Sequence, residues 1–258
     1  MTSDTLFSIF SFVLGLVLGS FANVCIYRLP TGKSIVSPPS SCLHCGTRIR
    51  FYDNIPLLSY IFLKGRCRHC NTHISLQYPI VELIMGILSL ALFTRYGTSY
   101  QYVLYLIFAG SLVVITFIDL HHQIIPDIIS LPGIIIGFLA SFLMPSPTWL
   151  DSAIGVVAGG GALLLIAVIF EKVTGKEGMG GGDIKLLAMI GAWMGWKALP
   201  FVVLISSLLG IIIGGGSLVV SGKGIRVKIP FGPFLAMGSL IYFFFGSTIV
   251  RWYASLFV

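Results

Sequence analysis

Read from the N-terminus, the chain alternates between long apolar stretches and short polar breaks. Apolar runs cover residues 6–26, 78–95, 100–119, 127–145, 150–171, 183–197, 198–220 and 231–254. Most have roughly the length that crosses a bilayer as a helix, about 20 residues. The pattern predicts an all-α, polytopic transmembrane helix bundle of about eight spans. The sixth run is short for a full crossing. The first could pass for a signal peptide, but it has no basic segment before it and no small-residue cleavage site after it. It runs straight into Asn23 and Arg28, so it reads as a retained helix. One polar stretch is large enough to fold by itself, which divides the chain into a first transmembrane helix (1–26), a loop domain (27–77) and a transmembrane core (78–258).

Composition strengthens this reading. The chain is 56% hydrophobic and 10% charged, with a mean hydropathy of +0.98, whereas a soluble domain carries about 25% charged residues. The net charge is +7. If residues 27–77 are cytoplasmic, that side of the membrane collects all of the 16 Lys and Arg residues except Arg95, Lys197 and Arg251. Such a bias is what orients membrane helices. It places both termini outside and accounts for the positive charge without nucleic acid. No long basic stripe with interleaved aromatic residues is present.

The loop domain contains CLHC (Cys42, Cys45) and CRHC (Cys67, Cys70), separated by 21 residues. Two C-x-x-C pairs near this spacing read as a four-cysteine metal site, with zinc ahead of iron. Gly46 and Asn71 directly after the pairs suit the positive φ that such turns often need. The alternative, free or disulfide-linked thiols, is disfavoured in a reducing cytoplasmic loop. Four protein ligands make a closed site, which is structural rather than catalytic. His44, His69 and His73 are then surplus surface residues, and Cys25 is a small packing residue.

The chain has nine acids, and most lie at helix ends or in loops. Glu82, Asp119, Asp127 and Asp183 lie at or within membrane segments, where ionisable residues are functional candidates by default. Asp119 ends the third run in VVITFIDLHHQIIPD, and Asp183 opens the sixth after GMGGG. Two crossings separate them, so both carboxylates return to the same, cytoplasmic face. A converging pair would share one proton and could perform acid–base chemistry on a peptide bond. Glycines over 178–182 would let a substrate backbone approach. The structural alternatives are helix N-caps at Asp183 and Asp127, and a buried hydrogen-bond partner for Glu82. GMGGGD has Asp where the Rossmann pattern requires its last glycine, and SGKG at 221–224 lacks the earlier glycine and the following Ser/Thr of a Walker motif. A proton- or ion-coupled transporter would also use membrane aspartates and glycine-broken helices, although no repeat of the acidic segments is visible.

GGGD (180–183), FIDLHHQIIPD (117–127), the paired C-x-x-C loop, GSFANVCIYRLP (19–30) and QYPIVEL (77–83) together resemble the bacterial type IV prepilin peptidases, membrane aspartyl proteases with a G-x-G-D motif. The resemblance covers essentially the whole chain. It implies that Asp119 and Asp183 are catalytic and that Gly180 and Gly182 are the motif glycines, with Glu82 and Asp127 as possible supporting acids. It further implies cleavage of the leader from type IV prepilins or type II secretion pseudopilins at the cytoplasmic face of the inner membrane. N-methylation of the new N-terminus with S-adenosylmethionine would follow. No nucleotide fingerprint identifies residues for that second step.

Overall fold

The structure is a computed structural model that describes residues 3–175, 180–215 and 230–255. Residues Lys176, Glu177, Gly178, Lys223, Arg226 and Lys228, the SGKG stretch and the end of the apolar run 198–220 lie outside the described residues. Among the described residues there is no strand. The helices are α1 (Ser3–Arg28), α2 (Leu58–Phe62), α3 (Gln77–Tyr96), α4 (Tyr100–His122), α5 (Asp127–Ala140), α6 (Trp149–Thr174), α7 (Gly181–Met194), α8 (Leu199–Leu209) and α9 (Gly232–Ala254). A π-helical turn, Gly210–Gly215, continues α8.

Five segments are long and apolar enough to cross a membrane: Asp4–Thr31, Gln77–Tyr96, Tyr100–His122, Trp149–Thr174 and Trp196–Ile213. This makes the chain a multi-pass membrane protein. Eight crossings would require α5, α7 and α9 as well, and α5 and the apolar part of α9 (Gly232–Gly246) are shorter. The 14 residues of α7 rise only about 21 Å at 1.5 Å each, against a hydrocarbon core of about 30 Å. Every residue of α7 from Leu186 to Trp193 is buried. A helix apolar on all sides is one enclosed by protein, so its apolar run reflects a core position as much as a crossing. The long helices expose large side chains instead, among them Phe10, Val157 and Val173, as a lipid-facing surface does.

The chain divides into two compact units, residues 1–114 and 115–258. In the first, α1 and α3 lie against each other through small residues. A Cβ on Gly19 would come within 2.6 Å of Glu82 Cα, so only glycine allows the approach. Ser89 on α3 donates to Ser11 O at 2.6 Å and shares a 2.7 Å hydrogen bond with Tyr102. In hydrocarbon such a bond replaces an unsatisfied hydroxyl.

In the second unit α7 is the central element, packed on α5 and α6. Gly155 of α6 meets Gly191 of α7 backbone to backbone, and a Cβ on Gly159 would lie 2.6 Å from Leu187 O. Ser152 Oγ donates to Ala192 O at 2.7 Å and Trp193 Nε1 to Gly133 O at 2.9 Å. The α6 N-terminus is closed by a capping box, with Thr148 Oγ1 accepting from Asp151 N–H at 3.2 Å. These contacts fix the middle and C-terminal part of α7 against α5 and α6.

Candidate active site and metal centre

The four cysteines come from two turns built alike. Cys42 N–H donates to Thr47 O and Gly46 N–H to Cys42 O, both at 2.9 Å. Cys67 N–H donates to Thr72 O at 2.9 Å and Asn71 N–H to Cys67 O at 3.0 Å. Single β-bridges, Ser41 to Arg48 and Arg66 to His73, brace the two turns. Gly46 and Asn71 both take positive φ, 69° and 54°, as their position after each pair predicts. The four sulfurs lie within 4.8 Å of one another, and Cys42 Sγ is 3.8 Å from Cys70 Sγ. Thiolates at 2.3 Å around a tetrahedral zinc are about 3.8 Å apart, so the donor set and its spacing fit such an ion.

Local hydrogen bonds favour the metal-binding form of three of these thiols, whereas against the Cys45 and His44 amides, burial and the neighbouring sulfurs push Cys42 up. Thr47 beside Cys45, the Cys70 backbone beside Cys67 and Thr72 beside Cys70 hold the three thiols below the usual cysteine range. Arg68 grips Asp53 with Nε and Nη2, the shortest contact being 2.6 Å. That fork ties the second turn to residues 51–54 and keeps the Asp53 carboxyl below its ordinary range.

Both membrane aspartates belong to the second unit. Asp119, in the last turn of α4, is 5% exposed. Its Oδ2 accepts from Gly232 N–H at 3.0 Å. Gly232 opens α9, so this donor is one of the unpaired amides at the positive end of a helix. Asp183 lies in the first turn of α7, next to Gly182, which packs on Ile125, and Ile125 also lies against Gly232 beside Asp119.

The capping alternative for Asp183 does not hold. The N-cap of α7 is Gly180, in an extended conformation, and no side chain caps the helix. Asp183 is the third helical residue, and its carboxylate makes no hydrogen bond to a described residue. Asp127 is not a cap either, since Pro126 holds that position in α5. Asp127 instead takes Lys185 Nζ on both oxygens, at 2.7 and 2.8 Å. This joins the start of α5 to α7 two residues beyond Asp183. The pair is half exposed, and such pairs are worth about 0–1 kcal/mol. Asp127→Asn is therefore expected to keep peptide cleavage within about fivefold of wild type, measured beside Asp119→Asn. Glu82 belongs to the first unit, where its Oε2 accepts from Leu57 N–H at 2.8 Å.

The glycines divide in a way the motif does not foretell. A Cβ on Gly182 would come 2.9 Å from Ile125 Cβ, and one on Gly232 would come 2.6 Å from Asp119 Oδ2 and 3.2 Å from Ile125 Cδ1. A Cβ on Gly180 would meet nothing closer than Asp183 Oδ2 at 3.8 Å. Ile125 thus sits against both Gly182 and Gly232 beside the carboxylates. Neither Ile125 nor Gly232 stands out in the sequence. The available signal was GPF after a polar loop, which reads as an ordinary helix start.

Comparison with known proteins shows the family. Residues 13–96 match the profile of the bacterial peptidase A24 N-terminal domain, and residues 106–215 that of the type IV leader peptidase family. A protein of Pseudomonas putida is 39% identical over 262 residues, covering 92% of this chain and 90% of the relative. One of Aeromonas hydrophila is 39% identical over 271 residues, covering 96% and 93%. One of Pseudomonas aeruginosa is 37% identical over 270 residues, with the same coverage. All three are named prepilin leader peptidase/N-methyltransferase. These names give no support to the transporter reading. No solved structure matches the chain.

Proposed function

Because the chain belongs to the type IV leader peptidase family, we propose that it is a membrane aspartyl endopeptidase and N-methyltransferase. It removes the leader of type IV prepilins or type II secretion pseudopilins and then methylates the exposed N-terminus. The observation that supports the peptidase reading is the packing of Ile125 against both Gly182, next to Asp183, and Gly232, whose N–H donates to Asp119.

Two close carboxylates hold one proton between them. The ionised member takes a proton from water as its oxygen attacks the scissile carbonyl carbon. The protonated member donates to the carbonyl oxygen, so the tetrahedral intermediate forms with its charge neutralised. Proton transfer to the peptide nitrogen and collapse of the intermediate break the C–N bond, releasing an acid and an amine. Gly180 and Gly181 are exposed beside Asp183, which gives an extended substrate backbone access without side chains in the way. Cleavage of a prepilin peptide by purified protein in detergent tests the reading, and absence of cleavage would end it.

The organisation proposed is a first transmembrane helix (1–26), a metal-binding domain (27–77) and a peptidase core (78–258) in the inner membrane, with the aspartates facing the cytoplasm. The basic loops support that orientation. Cysteine labelling should find 27–77, 120–126, 172–182 and 221–230 on one side.

Zinc held by Cys42, Cys45, Cys67 and Cys70 would supply folding energy to the loop domain rather than reaction chemistry, since all four positions belong to the protein. Protein purified under reducing conditions is expected to carry about one zinc per chain by elemental analysis. Cys67→Ser should lower that content and expose the loop to proteolysis. S-adenosylmethionine would serve as the methyl donor.

A further inference from the structure

Two polar side chains lie deep among the apolar residues of α1 and α3. Asn23 is 4% exposed and Glu82 is 8% exposed. Asn23 Nδ2 donates to Tyr78 O at 3.1 Å and to Gly19 O at 3.3 Å, which fixes the way the amide faces. Its Oδ1 is left buried with no hydrogen-bond partner among the described residues. Buried polar atoms are nearly always satisfied, so an orphan acceptor marks a place for a donor that the chain does not supply. Glu82 Oε2 accepts from Leu57 N–H at 2.8 Å. Leu57 itself is held at φ 60°, which a bulky side chain rarely adopts. Strain of this kind persists only where surroundings impose it, and it clusters at ligand sites.

Asn23 and Glu82 line one cavity of about 410 Å³, within the size range of small-molecule sites, about 300–1,000 Å³. Tyr27, Tyr60 and Tyr78 also line it, and Cys67 brings the cysteine loop to its wall. Arg28, Arg48 and Arg68 also line the cavity, with Arg28 donating to Ser34 O and Pro38 O and Arg68 held by Asp53. The buried acid, the orphan amide acceptor and the aromatic faces favour a ligand group that is cationic and carries N–H donors. An acid in a membrane helix is costly to keep without such a use. The α-ammonium group of an amino acid or peptide has this chemistry.

We infer that this cavity is the methyl-transfer site, with Glu82 and Asn23 accepting the hydrogens of an α-amine and the tyrosines covering the rest of the ligand. The inference rests on the N-methyltransferase half of the proposed function and assigns residues to it. An α-amine is carried both by the amino-acid end of S-adenosylmethionine and by the N-terminus that leader removal creates. S-adenosylmethionine supplies a methyl group on positively charged sulfur, whose bond to carbon breaks toward sulfur as the amine lone pair bonds that carbon. An α-ammonium must first lose a proton to free its lone pair, and the Glu82 carboxylate is the acceptor in the cavity.

The test is calorimetric titration of purified full-length protein with S-adenosylhomocysteine and, separately, with a short peptide that begins with phenylalanine. Wild type should bind at least one. Glu82→Gln keeps the shape and an acceptor for Leu57 N–H while removing the charge. It should weaken that binding about 10- to 100-fold, with peptide cleavage, metal content and melting temperature retained. Tyr27→Ala, which leaves the Asn23 and Leu57 bonds alone, should weaken it also and decides the matter if Glu82→Gln fails to fold. Weakening confined to S-adenosylhomocysteine identifies the methyl donor as the ligand held, and weakening confined to the peptide identifies the acceptor. Unchanged binding of both ligands by the folded variants overturns the inference, as does a wild type that methylates yet binds neither. In both cases methylation by wild type leaves the proposed function standing, whereas a wild type without methylation removes the function and the inference together.

Discussion

Asp183→Asn protein is expected to lose peptide cleavage by at least about 10²-fold, the low end of what a positioned acid–base group contributes. Asn is nearly the same size as Asp, and the α7 N-cap is Gly180 rather than Asp183. The substitution therefore removes the shared proton while leaving the helix start in place. The fold should barely respond, because the loss of a charge near a helix N-terminus costs only about 0.3–1 kcal/mol. Asp119→Asn should behave alike. It keeps an oxygen for Gly232 N–H to donate to but cannot carry the proton. Groups that act as a unit are not additive, so the double variant should be little worse than either single one. Metal content and membrane insertion should stay at wild-type levels throughout. Near-normal cleavage by either single variant would refute the dyad, and so would labelling that put residues 119 and 183 on opposite faces of the membrane.

The glycines give the second large effect, and its order is specific. Gly232→Ala is expected to reduce cleavage by about 10²-fold, the cost of displacing a catalytic group by about 1 Å. The new Cβ would stand 2.6 Å from Asp119 Oδ2, so either the carboxylate or the start of α9 must move. Gly182→Ala should be nearly as damaging, since its Cβ would stand 2.9 Å from Ile125 Cβ, and Ile125 also touches Gly232. Overpacking of this kind typically costs about 1–3 kcal/mol. Gly180→Ala should remain close to wild type. Its φ of −70° and ψ of 137° are open to any residue, and its Cβ would find Asp183 Oδ2 at an ordinary 3.8 Å. A further variant, Ile125→Ala, should relieve the Gly182→Ala defect in part, because it removes the side chain that the new methyl group meets. Equal loss at Gly180 and Gly182, or full activity of Gly232→Ala, would show that the packing around Asp119 does not matter to cleavage.

The features legible in the sequence are those set by local spacing or by the solvent. Cys42, Cys45, Cys67 and Cys70 declare themselves because each C-x-x-C is a single turn, with Gly46 and Asn71 at the positions that need positive φ. The apolar runs declare the membrane because lipid demands unbroken stretches of apolar helix. Asp119 and Asp183 stand out because carboxylates are costly in that setting. The length of an apolar run does not say what surrounds it, so α7 reads as a short crossing although its residues 186–193 are enclosed by protein. The pairing of Asp127 with Lys185, the donation of Gly232 N–H to Asp119, and the wedge of Ile125 between two glycines join residues far apart in the chain. The same is true of the cavity where Asn23 and Glu82 meet. Periodicity and motif spacing describe what neighbours along the chain do to one another. Distances of a few ångströms between separate helices depend on how side chains fill the space between them, and that was decided only in the tertiary structure.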